Sequence, residues 1–297
     1  MIYVTRRDFL KYLAASALAM GYSSLDLTGI AQALAQSTKP PVVWLQGAGC
    51  NGCSVSLLNS VTPTIDDVLL NTIDLQYHPT LMAAPGALAV TTATQARDSG
   101  FTLLVVEGAI PTAHDRYCTV WETVDGHHVS MLEAVQSFAA RADYVMSVGS
   151  CSAFGGIPAR STDTGASSMA DVLPGRTVIN VSGCPAHPDW IIGTIAAVLT
   201  GGVPSLDAYN RPVTYFGQNV HRTCPLRERE EAHSFGQENR CLEELGCQGK
   251  QTWADCALRG WNNGLNWCIG AGALCVACTE PFFPRFPFHS NGEDDDD

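Results

Sequence analysis

Twelve cysteines stand in this chain of 297 residues, and their spacing says more than their number. Two close pairs, Cys50-Asn51-Gly52-Cys53 and Cys275-Val276-Ala277-Cys278, are joined by dispersed cysteines that lie beside Gly or Pro. Disulfide frameworks belong mainly to short chains that lack a core. This chain is long, 46% hydrophobic and only 15% charged, so it does not need one. Thiols that merely fill a core have no reason to pair as CxxC. Metal ligation is the leading use.

The cysteines fall into three groups. Cys50 and Cys53 come early, Cys151 and Cys184 much later. Beyond residue 220 runs His221-Arg222-Thr223-Cys224, then Cys241 and Cys247, so one imidazole and three thiolates make a complete set. Cys256, Cys268, Cys275 and Cys278 supply four more thiolates. Thiolate suits zinc and iron–sulfur clusters alike, so donor type leaves both open. Structural zinc commonly draws two CxxC pairs onto one ion. The dispersed spacing here suits a bulky cluster better. Cys118 remains and reads as a buried or half-buried structural thiol.

Several elements must position these groups. The apolar runs Pro41–Leu45, Ile73–Tyr77, Thr102–Glu107, Tyr144–Val148 and Thr177–Val181 are continuous rather than alternating, as in parallel strands buried on both faces. Helix-compatible stretches lie between them: Ser54–Leu58 and onward, Ser130–Arg141 and Trp190–Leu199. This is the α/β pattern of an open, doubly wound parallel sheet. Strands one, four and five run into Gly49-Cys50-Asn51-Gly52-Cys53, Gly149-Ser150-Cys151 and Ser182-Gly183-Cys184. In such a sheet these turns share the carboxyl edge, so Cys50, Cys53, Cys151 and Cys184 can meet there. Strand three brings Glu107-Gly108-Ala109-Ile110-Pro111 to the same rim. From about Pro204 periodicity fades, with one short helical signal at Arg227–Ala232. A second unit over 204–297, cysteine-rich and largely irregular, needs bound metal to hold it.

The first 35 residues read as an address. Thr5-Arg6-Arg7-Asp8-Phe9-Leu10-Lys11 is a twin-arginine signal, followed by a short apolar run and the small-x-small site Ala33-Leu34-Ala35. That route exports folded proteins, which suits a protein whose clusters are inserted before export. The expected location is the periplasm or the outer side of the cytoplasmic membrane. The formal net charge of −12 gives nucleic-acid binding no electrostatic support. The acidic end, Glu293 to Asp297, reads as a solvated tail.

Gly-Cys-Asn-Gly-Cys-Ser at 49–54, Glu-Gly-Ala-Ile-Pro at 107–111 and Gly-Ser-Cys-Ser-Ala-Phe-Gly-Gly-Ile-Pro at 149–158 stand in the same order as in the small subunits of nickel–iron hydrogenases. Cys-Pro-Ala-His-Pro-Asp-Trp at 184–190, His-x-x-Cys-Pro at 221–225 and Cys-Leu-x-Glu-Leu-Gly-Cys-x-Gly at 241–249 follow. Asn-Trp-Cys at 266–268 and Cys-x-x-Cys-x-Glu-Pro at 275–281 complete a resemblance that covers nearly the whole chain. It implies a flavodoxin-like domain over 36–203 that carries a proximal 4Fe–4S cluster on Cys50, Cys53, Cys151 and Cys184. It implies a distal 4Fe–4S cluster on His221, Cys224, Cys241 and Cys247. A medial cluster would sit on Cys256, Cys275 and Cys278. Many relatives have proline where Cys268 stands and carry 3Fe–4S, so a fourth thiolate here implies 4Fe–4S. That feature resembles the nickel–iron–selenium branch. Asn51 and Gly52 leave no place for the extra proximal cysteines of oxygen-tolerant relatives.

By the same resemblance, hydrogen is activated in a separate large subunit. This chain would relay electrons through three clusters to an external acceptor such as a cytochrome. Glu107 reads either as part of the interface or a proton route, or as a helix-capping carboxylate. His187 and Asp189 read as contacts to the large subunit or as turn residues. A cluster-bearing subunit of respiratory NADH dehydrogenase fits less well, because that group shows adjacent cysteines in its proximal site and lacks the second unit. A free-standing ferredoxin-like carrier or zinc module would not need the long α/β domain.

Overall fold

Runs rich in Val, Leu and Ile, bounded by Gly and Pro, form five parallel strands: β1 (Pro41–Gln46), β2 (Asp74–Tyr77), β3 (Phe101–Glu107), β6 (Ala142–Val148) and β7 (Ile179–Val181). Between β3 and β6 in the chain lies a two-stranded antiparallel ribbon, β4 (Thr119–Glu122) and β5 (His128–Ser130). The computed structural model describes residues 39–123 and 125–284. The stretches read from the sequence as an export signal and a solvated tail fall outside them.

The sheet order is β2-β1-β3-β6-β7. Register runs from Val42 opposite Leu103 to Gln46 opposite Glu107 along β1 and β3. The chain leaves β1 toward β2 on one side and returns as β3 on the other. The crevice between the ends of β1 and β3 is therefore the switch point where α/β sheets bind ligands.

Alternate residues of the strands enter two different cores, as the two-residue period requires. Val42, Trp44, Leu103, Val105, Met146, Val148, Ile179 and Val181 share one cluster with helix α1 (Gly52–Leu58) and helix α5 (Pro188–Gly201). Val43, Leu45, Leu104, Val106 and Val145 face helix α2 (Gly86–Ser99) and helix α3 (Met131–Ala139). Ser130 caps α3 by accepting from Glu133 N at 3.2 Å. A short helix α4 (Ser150–Phe154) follows β6 directly.

The expected strands and helices are present, with shifts of a few residues at their ends. The last strand is shorter than the apolar run that announced it. The ribbon β4–β5 had no clear signal in the sequence. Its Trp121 packs edge-on against Phe138 and Tyr77, so it works as a cover over α3.

After residue 203 the described chain makes only short helical turns, among them Val213–Phe216, Val220–Thr223 and Cys256–Arg259. The helical signal at Arg227–Ala232 is not realised. Ala232 N donates to Cys241 O at 2.8 Å and Cys241 N to Glu230 O at 2.9 Å, so this backbone pairs with the stretch bearing Cys241. The segment is not separate from the sheet. Tyr215, Phe216, Val220, Leu242, Ala254 and Ile269 join the cluster around Trp190. Among the described residues no helix is long and apolar enough to cross a membrane.

Phe138 is fully buried between Phe101 and Trp121. Phe138→Ala is expected to cost about 3–5 kcal/mol, read as a lower denaturant midpoint by circular dichroism.

Candidate metal centres

The turns after β1 and β3 are stitched together by Ala48 N to Ala109 O (2.9 Å) and Ala109 N to Ala48 O (2.8 Å). Cys50 and Cys53 lie at the start of α1, Cys151 in α4 after β6, and Cys184 in the turn after β7. All four reach the same rim. Gly149, at φ +84°, leaves room for the Cys53 thiol: a Cβ there would stand 2.5 Å from Sγ. Burial is the main cause that pushes the Cys53 thiol well up, with Glu107, Cys151 and Cys184 adding to it. Cys151 is pushed up to about 11 by burial and then by Cys184. Cys184 is raised by burial and by Cys50. The four thiols thus lie within electrostatic reach of one another.

The second group gathers around a short helical turn. Ligand atoms of His221, Cys241 and Glu243 lie within 4.8 Å of one another. A Cβ on Gly249 would stand 3.6 Å from Cys247 Sγ and 3.7 Å from His221 Cβ, which sets Cys247 beside the imidazole. Cys224 is raised first by burial, then by Cys241 and Cys247, while Leu226 N donates to its sulfur at 3.4 Å. Glu243 was not anticipated from the sequence. It is ion-paired with Lys250, and its hard oxygen suits iron–sulfur ligation less than the neighbouring thiols do.

In the third group Cys256, Cys275 and Cys278 are half-buried and Cys268 is exposed. Cys256 is pushed up to about 12 by burial, then by Asp255, Cys275 and Cys268. Cys278 is raised well above the ordinary thiol value by burial, then by Cys256, and also by Cys275 and Cys268. Thr252 Oγ1 lies 3.3 Å from Cys275 Sγ. Cys268 acts on both Cys256 and Cys278 and so is in this group.

The third group touches both of the others. Ser150, next to Cys151 of the first, donates its hydroxyl to Cys278 O of the third, and Gln248 N, next to Cys247 of the second, donates to Cys275 O at 2.7 Å. Cys247, from the second, acts on Cys268 and Cys275 of the third. The third group therefore lies between the other two.

All twelve cysteines are free of disulfides. Burial, sulfur neighbours and the carboxylates of Glu107 and Asp255 all oppose the thiolate form. A bound cationic iron centre reverses that balance and deprotonates its ligands. Soft donors in sets of four, with a glycine cradle at the first, fit an iron–sulfur cluster at each site.

Residues 50–198 match the family profile described as NADH ubiquinone oxidoreductase, 20 kDa subunit. Residues 216–289 match the profile for the C-terminal part of the NiFe/NiFeSe hydrogenase small subunit. The periplasmic NiFeSe hydrogenase small subunit of Desulfomicrobium baculatum is 42% identical over 96% of this chain and 98% of its own. The chain belongs to the small subunits of the NiFe and NiFeSe hydrogenases. The Hydrogenase-2 small chain of Escherichia coli is 36% identical over 93% of this chain and 77% of its own. Among solved structures, NiFeSe hydrogenase from Desulfomicrobium baculatum superposes with a TM-score of 0.79 at 44% identity, covering 84% of this chain and 96% of that one. That of Desulfovibrio vulgaris Hildenborough gives 0.79 at 42%, over 84% and 96%. The 20 kDa profile over the first half marks an α/β module held in common with the respiratory enzyme. The second profile separates this hydrogenase subunit from that group.

In this hydrogenase small subunit Glu107 is a helix-capping carboxylate. Its Oε1 accepts from Cys53 N (2.9 Å) and Ser54 N (3.2 Å), and its Oε2 from Ser54 Oγ (2.5 Å) and Gln46 Nε2 (3.1 Å). It therefore fixes the start of α1, where Cys53 sits. His187 is a connector, accepting from Asp189 N at 3.1 Å and donating from Nε2 to Gly260 O at 2.9 Å. Asp189 binds Arg259 at 2.8 Å. Cys118 is half-buried against the α3 core, as a structural thiol would be.

His78 carried no signal in the sequence, yet it supports this network. Its Nδ1 accepts from Thr80 N and Leu81 N, which leaves the proton on Nε2 facing Ser54 Oγ at 3.2 Å. Burial lowers its pKa to about 4. Between pH 4 and the unfolded value near 6.5 the unfolded chain binds the extra proton, so this contribution is complete above that window and lost as pH falls through it. The cost at pH 5 relative to pH 7 is about 2 kcal/mol. His78→Gln is expected to flatten that part of the pH–stability curve, measured by urea unfolding at both pH values.

Proposed function

We propose that this chain is the electron-relaying small subunit of a periplasmic nickel–iron hydrogenase, of the nickel–iron–selenium kind in its cluster content. The observation that carries the reading is the contact of the third ligand group with both of the others. On this reading Cys50, Cys53, Cys151 and Cys184 hold a proximal 4Fe–4S cluster. Cys256, Cys268, Cys275 and Cys278 hold a medial 4Fe–4S cluster, and His221, Cys224, Cys241 and Cys247 a distal one. Each bound cluster takes up and gives back one electron at a potential set by its surroundings.

The chain's own residues supply those surroundings. Cys278 lies between the fully buried Ala277 and Thr279. Leu226 N directs a hydrogen bond onto the Cys224 sulfur, which stabilises the more negative, reduced state. His221 supplies a neutral donor in the distal group, where an electron would leave for a cytochrome or similar acceptor. The chain divides at about 203/204 by what holds it: a sheet domain over 36–203, and a cluster-held unit over 204–297. The first 35 residues would direct folded export by the twin-arginine route.

The large subunit, which would contain the hydrogen-activating centre, is expected to cover the rim side of α1. Val55 and Leu58 on α1, Val61 just beyond it, and Leu265 are all exposed. Asn59 Nδ2 donates to Asn262 Oδ1 at 2.9 Å, which ties the end of α1 to the loop that presents Leu265. Apolar groups left together in this way are the usual content of an obligate interface.

The direct test is anaerobic purification of the tagged protein from its native host, followed by hydrogen-dependent viologen reduction. A co-purifying larger chain with nickel, and about twelve irons beyond the partner's own, is the expected result. Recovery of this chain alone with zinc would overturn the reading. Cys268→Pro is expected to convert the middle site to a 3Fe–4S centre, detected by its electron paramagnetic resonance signal in the oxidised state. Leu265→Asp is expected to lower recovery of the larger chain.

A further inference from the structure

The motif Cys275-x-x-Cys278-x-Glu280 contains two ligands and a glutamate that ligates nothing. Glu280 is almost fully buried and so is Arg211, at 2% and 1% exposure, and their side chains meet at 3.0 Å. Arg211 Nη1 also donates to Thr279 O at 2.9 Å, while its Nε binds Asp207 at 2.8 Å. The guanidinium carbon stands 5.2 Å from the ring centroids of both Tyr209 and Phe216. Glu280 Oε1 accepts further from Trp253 N (2.7 Å) and Thr279 Oγ1 (3.1 Å). A charged pair with this many partners is a rigid anchor.

The same short segment is held from its other side by two serines of the proximal turns. Ser182, two residues before Cys184, donates to Thr279 O at 2.8 Å. Ser150, next to Cys151, donates to Cys278 O and accepts from Gly183 N at 2.9 Å. Both hydroxyls are buried. The ligand turns of the first group thus grip the ligand segment of the third.

We propose that Ser150, Ser182 and Arg211 are positioning residues that clamp Cys278-Thr279-Glu280 against the proximal turns and so fix the spacing of the first and third ligand groups. The inference rests on the reading of these groups as cluster ligands. It assigns the glutamate of the motif a mechanical role. The clamp sets how close the two groups stand. Loosening it moves the ligand segment relative to the proximal turns and shifts the reduction potential of the middle centre.

The test uses the anaerobically purified complex carrying Ser150→Ala or Ser182→Ala, with Ser182→Thr as the variant that keeps the hydroxyl. Iron content and the potential of the middle centre are read by metal analysis and by redox titration followed by electron paramagnetic resonance. Unchanged iron, a shifted potential of the middle centre in both alanine variants, and its return in Ser182→Thr are expected. Arg211→Met is expected to lose iron from the middle site while the proximal signal stays. Should Arg211→Met fail to fold, the serine variants decide alone. Parent-like potentials and line shapes in both alanine variants would overturn the clamp. A parent complex without iron–sulfur spectra would instead overturn the functional reading, and the clamp with it.

Discussion

Ionising one thiol in a buried place is unfavourable, and ionising four beside one another is more so. In this protein burial raises the thiols of Cys53, Cys151, Cys256 and Cys278, and their nearest acting neighbours are other sulfurs or carboxylates. Only positive charge placed among the sulfurs relieves this. The fold is organised around that demand. A rigid sheet presents the first group, while the later groups hold together a stretch with little regular structure. Where bound metal supplies the missing free energy, the backbone has no need of long helices or strands.

The network behind the sulfurs follows from the same demand. Glu107 gathers two backbone N–H groups at the start of α1, and Ser54 connects it to a neutral His78. Arg211 and Glu280 neutralise each other inside the protein, so neither leaves a bare charge beside a ligand group. Polar groups are buried here in matched sets.

Much of this was legible in the residues. Continuous apolar runs ending in Gly-Cys turns gave the parallel sheet and its rim, because strand burial and switch-point geometry depend on local patterns. The proposed sorting of the cysteines into three ligand groups rests on CxxC pairs and the His221–Cys224 step, which are short-range signals. The ribbon β4–β5 was missed, since its short strands are stabilised by Trp121 meeting Phe138 and Tyr77, contacts far apart in the chain. The helical signal at Arg227–Ala232 failed for the same kind of reason, with Cys241 claiming the backbone groups a helix would have used. Glu243 and His78 gave no sign because a lone Glu or His acquires meaning only from neighbours that the fold brings up.

The hydrophobic cluster on the α1 and α5 side of the sheet is completed by residues from the irregular second half: Tyr215, Phe216, Ala254 and Ile269. A chain ending after α5 would leave Trp190 and its surroundings as a bare apolar surface. The α/β module shared with the 20 kDa respiratory subunits is therefore not interchangeable as it stands. A protein that uses this module without the second half must close the same surface with a different cover, such as another subunit of its own complex. Descent of the two groups from one module would thus have required a change of covering surface.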